Sequence, residues 1–327
     1  MGLVLERLER RLGCRGETVS MIRQRAADVL AGDVSARVDR LPTIGLTRSQ
    51  LLESVGRDRL ARLSAQFRRR GTPNQLLNIA RYGSVIADVA CASDDQDRLA
   101  ILREGAQFNL AVALFDTAFD DFADLRPHMA SILNGRRIRE RLMDLSCAAL
   151  RSQEPMLEDL VSLCDSVVLS IGQRLRQYPA HLSFLADLLD RMYASEVDPQ
   201  ADRRDAKTLP IVFLGTLSKP VPQSRKYHLL LALAQWISRM DDWQDIGRDV
   251  IACQANQFVY SRDGRSWHWF PYMVRVGRLV LLGESSRDAI ANSLTDELRR
   301  VLKSAELAGG DTAAKTRVLA MTVFGLP

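Results

Sequence analysis

Apolar residues along this chain recur at three- and four-residue intervals almost throughout, and strand-like alternation bounded by turn residues is nearly absent. The periodicity predicts helices near 3–13, 18–31, 47–70, 74–91, 95–124, 136–152, 155–176 and 179–197. Further helices are predicted near 202–218, 223–260, 268–282, 285–307 and 311–324. Breakers fall between them, among them Gly71-Thr72-Pro73, Arg126-Pro127, Asp198-Pro199, Lys219-Pro220 and Gly309-Gly310. No repeat of fixed period and no low-complexity linker interrupts the pattern. The expectation is an all-α, single-domain antiparallel helical bundle over residues 45–327, with residues 1–44 as a helical extension or its first helices.

One apolar stretch breaks its own rule. Residues 115–126 read FDTAFDDFADLR, with four aspartates in a segment otherwise suited to burial. On a helix over 95–124, Asp116, Asp120 and Asp124 fall at about 0°, 40° and 80°, a single stripe roughly 12 Å long. Asp121 lies about 60° further round. Phe115, Phe119 and Phe122 collect on the other side, where a core would take them. Upstream on the aspartate face stand Asn109, Ala113 and Ala106, all small, so the stripe is expected to face a space. Residues 238–250, SRMDDWQDIGRDV, repeat the design with Asp241, Asp245 and Asp249 at i, i+4 and i+8 beside Asp242. Ser238 and Ala234 continue that second face, and Trp236 and Trp243 point away from it.

Composition narrows the chemistry. The chain has 327 residues, 46% apolar and 26% charged, as expected of a globular protein. No apolar run approaches the roughly 20 residues needed to span a bilayer, and MGLVLERLERRLG has no apolar signal core. Five cysteines without C-x-x-C spacing argue against a disulfide framework or a zinc site, and suit a cytoplasmic protein. A net charge of +5 without basic runs interleaved with aromatics disfavours nucleic acid and fits a small anionic substrate. The clusters at 68–70 and 135–141 read as solvated helix faces. The four histidines form no relay.

Stacked carboxylates repel by several kcal/mol for close pairs at an effective dielectric near 20, so they need countercharge. A solvated face would suffice for one cluster alone. Two clusters on apolar helices, with oxygen donors only, point to a hard cation, Mg²⁺ above all, completed by substrate phosphates.

The motifs carry a resemblance. Asp120-Asp121-Phe122-Ala123-Asp124 resembles the D-D-x-x-D motif of the isoprenoid synthase superfamily. Residues 241–249, DDWQDIGRD, are similar to the second metal motif of class I terpene synthases, with Asp241, Asp245 and Asp249 in the ligand positions. The segment ADRRDAKTLPIVFLG (201–215) looks like the cyclase helix that carries a diphosphate-sensing arginine before a break. Its Pro210-Ile211-Val212 resembles the P-I-V stretch of kaurene-type diterpene synthases, so the likeness is to bacterial diterpene synthases in particular. The likeness covers roughly residues 75–262.

That resemblance implies a helical bundle around a central cavity and a Mg²⁺-dependent lyase ionising an allylic prenyl diphosphate, C20 before C15. It implies Asp116, Asp120, Asp121, Asp124, Asp241, Asp245 and Asp249 as ligands of three Mg²⁺ ions once substrate is bound. Arg203, Arg204, Lys207 and Arg248 would hold the diphosphate. The carbonyl of Ala206, which Pro210 has no N–H to satisfy, would face the carbocation. Asn109, Ala113, Ile211, Ala234 and Ser238 would wall the cavity. Homodimers are common in the superfamily, and the oligomeric state stays open. Alternatives also stay open. Lys207-Thr208 resembles a pair in chain-elongating prenyl diphosphate synthases, and the DIGRD stretch is similar to a motif of head-to-head squalene and phytoene synthases. A helical scaffold whose acidic stripes bind a basic partner is the non-enzyme reading.

Overall fold

Two threonines set the first helices. Thr47 and Thr72 each accept an N–H from the glutamine three residues on, and each glutamine accepts the threonine's backbone N–H in return. They start α1 (Arg48–Val55) and, after α2 (Arg57–Gln66), α3 (Pro73–Ala90). The computed structural model describes residues 24–30, 44–198, 203–218, 225–251 and 283–324. Gly56, at φ +86°, splits the helix predicted over 47–70 into α1 and α2, a conformation few residues but glycine accept.

Next come α4 (Arg98–Asp121), α5 (Arg126–Ile132), α6 (Gly135–Met143), α7 (Pro155–Leu175) and α8 (Pro179–Val197). The chain continues as α9 (Arg203–Thr216), α10 (Arg225–Ile251), α11 (Gly283–Ala308) and α12 (Thr312–Phe324). No strand occurs among the described residues, and no described helix is long and apolar enough to cross a membrane. Helices predicted near 3–13 and 268–282 lie outside the described residues. Residues 24–30 are helical, with Ala26 and Leu30 in the core and Arg25 donating to Asn292 of α11 at 2.6 Å.

Two boundaries differ from expectation for local reasons. α4 ends at Asp121 because Arg126 turns back, donating to the Phe119 carbonyl at 2.6 Å with its guanidinium over the Phe119 ring. Asp124 therefore sits in a 3-10 turn (Ala123–Leu125) and leaves the expected helical stripe. α6 stops at Met143, well short of 152. Asp144 bonds the Ser146 N–H, and Asp165 of α7 takes both the Leu150 N–H and the Arg141 guanidinium, which holds 144–154 outside a helix.

Helices α3 and α4 approach closely. A Cβ added at Gly105 would lie 2.8 Å from the Ala87 Cβ and 2.9 Å from the Gly83 carbonyl oxygen. Gly105→Val is expected to destabilise the protein by about 1–3 kcal/mol through overpacking. The check is the urea midpoint at unchanged slope. A wild-type midpoint would show that the two backbones do not approach this closely.

Charge is also buried. Asp88 of α3 is fully enclosed and accepts Arg98 at 2.9 and 2.5 Å and the Gly45 N–H at 2.8 Å. Lys315 of α12, equally enclosed, lies 3.1 Å from Asp88, 3.0 Å from Asp311 and 2.6 Å from the Cys91 carbonyl. Glu104 of α4 pairs with Arg174 of α7 and accepts from Ser170 at 2.8 Å. Burial pushes the Glu104 carboxyl up, with Arg174 and Ser170 opposing that shift.

Candidate functional site at the aspartate-bearing helix ends

Helix register decides which ends come together. Asn109 Nδ2 donates to the Ile79 carbonyl at 2.7 Å, and Gly105 faces Gly83, so α4 runs antiparallel to α3 and its aspartates lie towards the start of α3. On α10, Lys226 donates to the Ala90 carbonyl at 3.1 Å, whereas the Asp241 charge acts on the Tyr82 hydroxyl. α10 therefore also runs antiparallel to α3. Its aspartates point the same way as those of α4.

At the first motif, Asp120, Asp121 and Asp124 are exposed. Asp116 forms a close ion pair with Arg70, which also donates to the Ala113 carbonyl at 3.1 Å and to the Thr117 hydroxyl. The protein itself thus supplies countercharge to Asp116. The basic cluster at 68–70, expected as a solvated face, has one arginine laid on the aspartate helix.

At the second motif, Asp241 is half-exposed and Asp242 buried. Lys207 of α9, expected to hold diphosphate, reaches Asp241 at 2.9 Å and makes a shorter bond to Asp242. Burial works against the Lys207 charge, but Asp241 and Asp242 outweigh it and hold the ammonium well above its ordinary range. Burial, with the Asp241 charge, likewise raises the Tyr82 hydroxyl. The side chains of Arg203, Arg204, Asp245, Arg248 and Asp249 lie outside the described residues, although their backbone forms the start of α9 and the last turns of α10.

Among the described residues, no three His, Cys, Asp or Glu side chains converge to hold a metal ion. The donor set still suits Mg²⁺. Exposed carboxylates at Asp120, Asp121, Asp124 and Asp241 offer oxygen only and leave room for water and phosphate oxygens.

A cavity of about 680 Å³, mouth included, opens between α4, α6, α7, α8 and α9. Phe108, Val112 and Phe115 of α4 form one wall, and Ala206 and Pro210 of α9 another. Phe108 stacks on Phe213 at 4.2 Å between centroids, and Phe115 lies 6.3 Å from the Tyr193 ring. Phe115, Phe119 and Phe122 pack against the core as expected, and Phe115 also borders this space. Asn109 packs on α3 through the glycine contact, Ala106 is fully buried, and the Ala113 carbonyl receives Arg70. Ile211, Ala234 and Ser238 are buried, and none of the five expected wall residues lines this cavity.

Ala206 and Pro210, by contrast, are both on its wall. α9 continues through Pro210, whose ring nitrogen carries no proton for the Ala206 carbonyl. Sequence reasoning missed Arg70, Tyr82 and the α8 contribution. For α8 a signal existed, because Leu189, Met192, Tyr193 and Glu196 form a stripe at helical spacing that ends in a carboxylate, and all four line the cavity. Comparison of the chain with family models, curated proteins and solved structures finds no match.

Proposed function

We propose that this protein is a Mg²⁺-dependent class I terpene synthase, a lyase that ionises an allylic prenyl diphosphate, C20 before C15, and cyclises or rearranges the cation. One observation supports the reading above others. The helix that carries Pro210 and the aspartate-bearing helix wall the same apolar cavity, Ala206 and Pro210 from one and Phe108 and Phe115 from the other. In this reading the helices form an antiparallel bundle around that cavity.

Each residue then has a task. Asp120, Asp121, Asp124 and Asp241 would hold Mg²⁺, joined by Asp245 and Asp249 of the second motif. The bound cation supplies countercharge to the diphosphate leaving group. Arg203, Arg204 and Arg248 would add hydrogen-bonded charge to the phosphate oxygens, as arginine forks do. Phe108, Val112 and Phe115 exclude water, so the hydrocarbon folds before it can be quenched. The Ala206 carbonyl and the Phe115 and Tyr193 rings offer partial negative charge to a passing cation.

The test incubates purified protein and Mg²⁺ with C10, C15, C20 and bicyclic C20 diphosphates, each with and without isopentenyl diphosphate. Products are read by gas chromatography–mass spectrometry. The expected result is a hydrocarbon or alcohol from one allylic diphosphate alone. A longer diphosphate that needs the C5 partner would overturn the proposal in favour of chain elongation, and no product from any substrate would favour the scaffold.

A further inference from the structure

Three ionisable side chains stand on the wall of the apolar cavity: Cys164, Tyr193 and Glu196. Only one is a base in its ordinary state. Burial, with the neighbouring Asp165 charge, pushes the Cys164 thiol up to about 12, so it stays protonated. Burial raises the Tyr193 hydroxyl too, which leaves a neutral phenol. Glu196 ends the α8 stripe that begins at Leu189, seven residues back and on the same face, and is the one carboxylate residue among the described residues of the cavity wall. Ala206 of α9 lines the same cavity.

We infer that Glu196 is the base that ends the reaction, and with that a residue that sets which olefin leaves. The inference rests on the function proposed above. In the step, a C–H bond next to the cationic carbon breaks and its proton passes to a Glu196 carboxylate oxygen. The C–H electron pair becomes the new double bond and cancels the positive charge. The neutral carboxylic acid then returns its proton to water at the cavity mouth. The site of the new double bond is the one whose hydrogen the folded chain presents to Glu196, so contour and base act together on product identity.

The experiment compares wild type with Glu196→Gln and Glu196→Asp on the C20 and C15 diphosphates with Mg²⁺. Diphosphate release and product profile are measured separately, and thermal melts confirm that the variants fold. Glu196→Gln should release diphosphate within about twofold of wild type while the share of the main hydrocarbon falls about tenfold or more. The lost share should reappear as isomers with the double bond elsewhere or as alcohols from water capture. Glu196→Asp, whose carboxylate is shorter by one methylene, should restore part of the original product. An unchanged profile in Glu196→Gln overturns the inference, as does a wild-type product that is itself an alcohol. So does a tenfold loss of diphosphate release, which would place Glu196 in ionisation. Failure of the proposed function shows in the wild-type reaction, and failure of the base assignment only in the variants.

Discussion

Asp120→Ala is expected to lower turnover of the allylic diphosphate by about 10²–10³-fold, the usual cost of removing one preorganised electrostatic contact from a charge-separating step. Asp116→Asn should cost far less. The contrast follows from their surroundings: Asp120 is exposed at the end of α4, whereas Asp116 is already neutralised by Arg70. If both carboxylates served the metal equally, both substitutions would be equally damaging, and that result would remove Arg70 from the account. Circular dichroism on each variant separates lost folding from lost chemistry. An active Asp120→Ala enzyme would sink the metal role of the first motif.

Lys315→Met should be the most destabilising single change away from the site, by about 3 kcal/mol, towards the lower end of what breaking a buried ion pair costs. All three ammonium protons have partners in Asp88, Asp311 and the Cys91 carbonyl, and both Lys315 and Asp88 are closed to water. Arg98 remains on Asp88 in the variant, which keeps the loss from reaching the upper values. Urea unfolding gives the magnitude. Adding Asp88→Asn to Lys315→Met should recover part of the loss, because the stranded carboxylate goes with its partner. A Lys315→Met midpoint equal to that of wild type would mean that the pair is hydrated in solution.

Helix identity was the most legible level, because a three- to four-residue apolar period over twenty residues has no other stable solution. α7, α8 and α12 lie within a residue or so of their predicted limits. Ends set by distant partners were harder. α6 stops where Asp165 of another helix captures Leu150, and no local pattern announces that. At the site, the unusual aspartates were plain, but the break expected at Pro210 is absent, since α9 runs on through it. The small residues of α4 were ambiguous, because such residues can mark either an open space or a tight helix contact. Asn109 belongs to the second kind, beside Gly83. The partners of charged groups were hidden for the same reason: Arg70 precedes Asp116 by 46 residues, and nothing near either names the other.

The enclosed Lys315 has a consequence during synthesis. Its carbonyl partner, Cys91, lies 224 residues earlier, and at about 5–20 residues per second the ribosome needs about 10 to 45 s to cover that distance. Over that interval α3 and α4 can already lie side by side, with Asp88 held by Arg98 and the Gly45 N–H and the groove for α12 open to water. The helix that seals the first-made pair is therefore among the last described segments to emerge. A growing chain must wait, partly uncovered, for Lys315.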